Sequence, residues 1–378
     1  AATADASTDF DTAVTNFEKL SLGAVAASGS DTTIDLTKLT YDYVITAGST
    51  DTGGTLDTVT LSGLASGGTV EITGAGGFAV AVTDAATGTA DVVNVVLSAA
   101  NNGTASSAGS ALAAGTITAA NVETINIASN TADPDGAADN TATLTATKAT
   151  SVTVTGNNGL NLTLGTSTKV TTVNAADATG DLTVTAVAAT ATTITGGSGA
   201  DAITGNAAND VLNGGAGNDT LTPKADVGGT TLTGGAGSDT FVVVDVLNEN
   251  GYSTIADLEA GDKIDTSAGI FAGTKTSLPS TATFQNLVDQ AIVDAAATTA
   301  IVATGGSTGD NDVSAAAWFQ FGGDTFLVID VIDTAGTTSA AGSNADTFTD
   351  STDQIIRITG EVDLSTAVFA SDTGIMVV

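Results

Sequence analysis

The residues best placed to do chemistry are aspartates that recur behind glycine between residues 196 and 242. In ninefold blocks the stretch reads GGSGADAIT, GNAANDVLN, GGAGNDTLT, an eleven-residue PKADVGGTTLT, then GGAGSDTFV. The template is G-G-x-G-x-D-x-U-x, with U a large apolar residue. It is met in full by Gly196, Gly197, Gly199 and Asp201, by Gly214, Gly215, Gly217 and Asp219, and by Gly234, Gly235, Gly237 and Asp239. The block at Gly205 keeps Asp210 and Leu212 but lacks two glycines, and the fourth keeps only Leu232. A carboxylate beside a turn that exposes carbonyl oxygens offers the hard oxygen ligands that Ca²⁺ takes. The glycines supply positive φ and close backbone approach.

The period also fixes the elements that must carry these turns. Each block reads as half a coil, a six-residue turn and a three-residue strand. Ile203, Leu212, Leu221, Leu232 and Phe241 then point inward as a thin apolar core. Two half-coils make a coil, so alternate turns share a side. Asp201 is expected beside Asp219, and Asp219 beside Asp239, giving two good Ca²⁺ sites. The other side holds Asp210 and a degenerate turn near Asp226, where any site should be weak. The bland alternative is a flexible Gly/Asp-rich linker. Outside the motif the apolar period continues. Val154, Leu164, Val173, Val184, Ile194, Ile203, Leu212, Leu221, Leu232 and Phe241 are spaced 10, 9, 11, 10, 9, 9, 9, 11 and 9 residues apart. A solenoid without calcium ligands is therefore expected to lead into the roll.

Composition narrows the functions. The 378 residues carry 42 acidic and 8 basic side chains, a net charge of −34, which excludes the basic surface that nucleic acid needs. The acidity suits solubility and suits cations that relieve self-repulsion. Cys and His are both absent, which removes disulfides, most zinc sites and most catalytic triads. No window reaches eighteen apolar residues, so no membrane-spanning helix is expected. The opening AATADAST has neither a basic start nor an apolar run, so no signal peptide is read there, and the chain is expected to be a fragment or a processed form. With 4% aromatic residues, many Thr and Val, and 45 Gly, the chain reads as extended β structure with many turns.

In chain order, strands are expected at 19–22, 33–36, 43–46, 58–61, 69–72 and 78–82, with a β-sandwich as the alternative architecture for this part. Asn16-Phe17-Glu18-Lys19-Leu20-Ser21-Leu22 and Asn121-Val122-Glu123-Thr124-Ile125-Asn126-Ile127 share the pattern N-φ-E-x-φ-x-φ, with φ apolar. Asp133-Pro134-Asp135-Gly136 opens like a Ca²⁺ loop but lacks its remaining ligands, and a solvated loop is preferred. FQNLVDQAIVDAAA, from Phe284 to about Ala297, has helical spacing and is read as a cap on the solenoid end. Strands return at 317–321, 325–331 and 354–358. The expected fold is all-β, a parallel β-solenoid and calcium β-roll with flanking β units and one C-terminal cap helix. The divisions are 1–115, a β-rich unit; 116–195, the solenoid lead-in; 196–245, the roll; and 246–378, the cap and secretion-signal region.

GGSGAD, GGAGND and GGAGSD, then IADLEAGDKID, FQFGGDTFLVID and DQIIRITGEVDLS, resemble RTX proteins exported by bacterial type I secretion. With the N-φ-E-x-φ-x-φ repeats, the chain resembles calcium-dependent surface-layer (S-layer) proteins of Gram-negative bacteria. The resemblance covers residues 120–378 best. It implies secretion through an uncleaved C-terminal signal, folding outside the cell on Ca²⁺, and self-assembly into a lattice at the cell surface. By position, the acidic turn after the roll, Asp257, Asp262 and Asp265, would join the calcium sites. An anchor to lipopolysaccharide or another envelope component would lie in a part outside this chain. An RTX adhesin or binding module is the alternative. Its sugar-stacking aromatics would have to come from Trp318, Tyr41, Tyr43 and Tyr252, and Trp318 reads as a core residue. No nucleophile elbow or Walker loop is present, so no enzyme is expected.

Overall fold

In the computed structural model of the chain the residues described are 18–24, 32–37, 41–48, 58–98, 111–130, 139–225, 228–244, 251–266, 270–303, 315–330, 354–370 and 375–378. They divide into two compact units, Ala1–Asp201 and Ala202–Val378. Asn16, Phe17, the loop at 133–138 and Asp226 lie outside the described residues.

In the first unit the chain alternates between two parallel sheets. One runs Leu20–Leu22, Tyr43–Thr46, Thr69–Ile72, Val92–Ser98, Thr124–Asn130, Ser151–Gly156, Thr172–Ala178 and Thr193–Thr195. The other runs Thr32–Asp35, Thr58–Leu64, Gly77–Val82, Ala113–Ala119, Asn140–Thr145, Leu160–Thr163 and Leu182–Thr185. Each coil thus gives one strand to each sheet, which is a parallel β-solenoid. The coil is already present at Leu20, whose partner is Val44, so the N-terminal strands form solenoid and not sandwich.

Alternation places one face of every strand inward. Val44, Val70, Val95, Ile127 and Val154 form one inward column, in register from coil to coil. Val93, Ile125, Val152, Val173 and Ile194 form a second. All ten are buried. The neighbour of Val173 in the sheet is Val152, and the pairing shifts register only after Thr153 and Asn174.

In the second unit, Val211–Ala216, Thr231–Ala236 and Ser253–Ile255 form one parallel sheet. Ala202–Thr204, Thr220–Thr222, Thr240–Val242 and Lys263–Asp265 form the other. Leu212 ladders with Leu232, and Ile203 with Leu221 and Phe241. After Asp265 the topology changes. Gln354–Ile358 pairs parallel to Ser253–Ile255, then antiparallel to Asp324–Asp330, which hairpins with Ala315–Phe321. Ile375–Val377 pairs antiparallel to Lys263–Asp265, and Val368–Ala370 follows it.

The α-helix spans Phe284–Ala303. It outruns the sequence expectation because ATTAIVA is helix-compatible and the first glycines come at Gly305 and Gly306. Thr283 and Asn286 cap its start reciprocally: Thr283 N–H donates to Asn286 Oδ1 at 3.0 Å, and Asn286 N–H to Thr283 Oγ1 at 3.2 Å. Leu287, Val288, Ala291 and Ile292 pack on Ala317, Phe319, Phe326, Val328 and Ile355. The helix thus covers one face of the antiparallel end strands. Trp318, 2% exposed, Leu327 and Ile356 are buried on the opposite face.

Phe241 is fully buried, with Leu221 and Ile264 as its ladder neighbours. Phe241→Ala should cost about 3–5 kcal/mol, whereas Val211→Ala, at a position 41% exposed, should stay within about 0.5 kcal/mol. Urea unfolding in saturating Ca²⁺ measures both.

Candidate calcium site

The aspartates named by the motif are among the most buried polar side chains of the protein. Asp201, Asp219, Asp239 and Asp210 are each at most 1% exposed, and Asp262 is 2% exposed. A buried carboxylate is costly unless hydrogen-bonded or paired with a cation. Here one oxygen is used on the neighbouring coil. Asp239 Oδ1 accepts from Asp219 N–H at 2.9 Å, and Asp262 Oδ1 from Asp239 N–H at 3.0 Å. In the first unit Asp201 Oδ1 accepts from Leu182 N–H at 2.6 Å, and its Oδ2 from Gly197 N–H at 2.7 Å. Asp219 and Asp239 each stand directly before a strand of one sheet, so the carboxylates form a column along its edge.

The glycines have two separate jobs. Gly215, Gly217, Gly235 and Gly237 have φ of 109°, 119°, 98° and 143°. A Cβ on Gly235 would fall on Gly215 O, and one on Gly237 on Gly217 O. Gly214 and Gly234 have no such φ. A Cβ there would fall on Asp219 Oδ2 and Asp239 Oδ2, so the first glycine of each block makes room for the carboxylate of its own block. The degenerate block keeps this relation, since a Cβ on Gly205 would lie 2.7 Å from Asp210 Oδ2. The strands Val211–Ala216 and Thr231–Ala236 run through the first two glycines, so these half-coils have longer strands and shorter turns than the three-plus-six division expected.

Beyond the last block, the acidic turn closes on the roll. Asp257 grips the backbone with both oxygens, accepting from Gly234 N–H and Gly235 N–H at 2.9 Å each. Asp262 Oδ2 accepts from Glu259 N–H at 2.7 Å. Val378 ties down the same turn, accepting from Gly261 N–H at 3.0 Å and donating to Asp262 O at 3.1 Å. Asp265 ends the strand that begins at Lys263, and its carbonyl accepts from Val243 N–H. The charge of Glu259 also acts on Asp239. Burial pushes the Asp239 carboxyl up, the Asp219 amide opposes this, and the charges of Asp262, Asp257 and Glu259 push it further up. For Asp201, burial raises the carboxyl, the Leu182 and Gly197 amides oppose, and Asp181 adds to the rise.

Asp181 and Asp139 extend the pattern before the motif. Asp181 Oδ1 accepts from Ala200 N–H at 2.7 Å, and burial and the Asp181 charge raise the Asp139 carboxyl. The sequence signal for both was an Asp immediately before a strand, without the glycines in front. On the other side, Asp210 Oδ2 accepts from Asn206 N–H and Ala207 N–H of its own turn, at 2.8 and 2.9 Å. Asp201 and Asp219 belong to different units.

The residues fit Ca²⁺. Asp239 Oδ2 is buried and accepts no hydrogen bond, and three further carboxylates raise its proton affinity. A divalent cation would offset that charge. Among the described residues no three acidic side chains form a ligand cluster by themselves. The backbone carbonyls of the glycine turns would have to supply much of the shell, as Ca²⁺ accepts.

Two tests follow from this geometry. Gly235→Ala forces an L-residue into a strained φ against Gly215 O, at about 1–3 kcal/mol. Calorimetric titration should show Ca²⁺ affinity weaker by several-fold to about a hundredfold. The second test is pH. Folded Asp239 binds its proton more tightly than unfolded Asp, so in chelator its contribution is present below the ordinary value of 3.8 and is lost as pH rises through the raised value. Between pH 3 and 7 in chelator the parent should therefore lose more thermal stability than Asp239→Asn. In Ca²⁺ the order should reverse.

The family described as RTX calcium-binding nonapeptide repeat (4 copies) matches residues 189–221. No curated protein matches the chain. The block at Gly234 lies beyond the match, yet Gly215 and Ala216 stand in register with Gly235 and Ala236. Residues 189–221 thus match RTX calcium-binding repeats, within a chain folded as a parallel β-solenoid and β-roll.

Proposed function

We propose that this is a structural protein of a bacterial surface layer, secreted and then folded and assembled by Ca²⁺. The observation that carries the reading is the column of buried carboxylates. Asp239 sits among the charges of Asp262, Asp257 and Glu259, and Asp239 and Asp262 each accept the backbone amide of the neighbouring coil. Without Ca²⁺ the carboxylates repel and the glycine turns keep their entropy. With Ca²⁺, binding free energy becomes folding free energy. That logic suits export as an unfolded chain and folding where Ca²⁺ is abundant.

The lattice follows from charge. Copies of a chain with net charge −34 repel one another, so close packing needs cations at the contacts as well as inside the roll. The chain is read as non-catalytic, because its sequence offers no His or Cys and its buried aspartates are spent on backbone amides. An adhesin reading has less support. Trp318 is buried, and Tyr43 is taken up by Glu71, to which its hydroxyl donates at 2.8 Å, and by Lys19 Nζ, 3.9 Å above its ring.

Light scattering and electron microscopy on calcium-free protein, titrated with Ca²⁺, test the proposal. Ordered sheets are expected, with Asp219→Ala needing much more Ca²⁺. A chain that folds on Ca²⁺ but stays monomeric would leave a binding module instead of a lattice protein.

A further inference from the structure

We infer that the first unit holds a Ca²⁺ site of its own, outside the nonapeptide repeats, at Asp91 and Glu123. Asp91 is 8% exposed, and its Oδ2 is buried without a hydrogen-bond partner. No motif marks it, since the turn before it reads TDAATGTAD. Its surroundings nevertheless repeat those of the roll in three respects.

First, a carboxylate from the next coil takes the amide of the acidic residue. Asp91 N–H donates to Glu123 Oε2 at 2.9 Å, as Asp219 N–H donates to Asp239 Oδ1 at 2.9 Å. Second, the strand after the later acid is tied to the earlier one. Thr124 N–H donates to Asp91 O at 3.0 Å, as Thr240 N–H donates to Asp219 O at 2.7 Å. Third, a glycine makes room for the carboxylate. A Cβ on Gly88 would fall on Asp91 Oδ2, as one on Gly234 would fall on Asp239 Oδ2.

The two acids are 32 residues apart in sequence and adjacent in the stack. Asp91 precedes Val92 and Glu123 precedes Thr124, at the starts of paired strands. A buried carboxylate oxygen without a donor calls for a proton or a cation. A second carboxylate on the next turn favours the cation. Ca²⁺ takes six to eight oxygens, so backbone carbonyls and water would complete the shell. The longer Glu123 side chain does here what an aspartate does in the roll.

The test is a count of ions. Full-length, metal-free protein is titrated with Ca²⁺ by equilibrium dialysis and calorimetry, as parent, Asp91→Asn, Glu123→Gln, the double variant and Asp239→Asn. Circular dichroism at saturating Ca²⁺ checks that each is folded. Asp91→Asn should bind one ion fewer than the parent. Glu123→Gln should lose or strongly weaken the same ion, and the double variant should lose no more than one. If Asp91→Asn does not fold, Glu123→Gln carries the test, because its carboxamide still accepts from the Asp91 amide. Parent stoichiometry and affinity in both single variants would overturn the site. Asp239→Asn separates this inference from the repeat sites. An ion lost there and none lost at Asp91 defeats the new site alone.

Discussion

One interaction sets the terms for the roll: a buried carboxylate that accepts the backbone amide of the neighbouring coil. In the pairs Asp239 with Asp219 N–H and Asp262 with Asp239 N–H, the acceptor is both a hydrogen-bond partner and a charge. As a hydrogen bond it fixes the turn of one coil over the next, which apolar contacts alone do not do, since they are non-directional. As a charge it makes the fold conditional. Asp262, Asp257 and Glu259 raise the cost of a charge on Asp239, and a cation is the natural way to offset it. The glycines follow from the same demand. Gly214 and Gly234 clear space for the carboxylate, while Gly235 and Gly237 let two backbones approach more closely than a Cβ allows.

A parallel coil also has a problem at its end, because its last strands offer unpaired amides and carbonyls. The second unit meets it by changing topology. Gln354–Ile358 extends one sheet and turns it antiparallel, and Ile375–Val377 does the same for the other. The helix then covers the outer face of the antiparallel strands. The aromatic contacts Phe284 with Phe326 at 4.8 Å and Tyr252 with Phe326 at 5.4 Å concentrate a scarce residue type where the repeating coil stops. Val378 binds the Gly261–Asp262 turn, so the chain end is built into the last acidic turn of the column.

The coil period was legible because the inward column repeats every 9 to 11 residues and every residue read from it is buried. The motif likewise gave the buried acids Asp201, Asp210, Asp219 and Asp239. Where reading failed, the reasons are physical. Strand alternation has the same period of two in a sandwich and in a solenoid, so TVTLSG and TVEITG could not choose between them. The spacing could not tell which of the inward residues Val152 and Val154 faces Val173, because both are apolar. Glu259 was not read from the motif, because it lies outside the glycine blocks and acts on Asp239 only through the fold. Asp91 was invisible because its partner is 32 residues distant and is a glutamate.

Other coils of the first unit are joined without charge. Leu112 N–H donates to Asn140 Oδ1 at 3.0 Å, and Asn140 Nδ2 donates to Ser129 Oγ, which in turn donates to Gly159 O. Ser167 Oγ accepts from Ala146 N–H and donates to Leu144 O, both at 2.9 Å. These neutral latches join coil to coil as the aspartates do, and they satisfy buried backbone groups without creating a charge that needs offsetting. A latch that both donates and accepts is complete in itself; a carboxylate that only accepts is not. Calcium dependence should therefore be graded along the chain. It should be weak where Asn140 and Ser167 hold the coils and strong where Asp201, Asp239 and Asp262 hold them. A solenoid of this kind can keep one backbone geometry throughout and still confine its response to Ca²⁺ to the coils whose latches are charged.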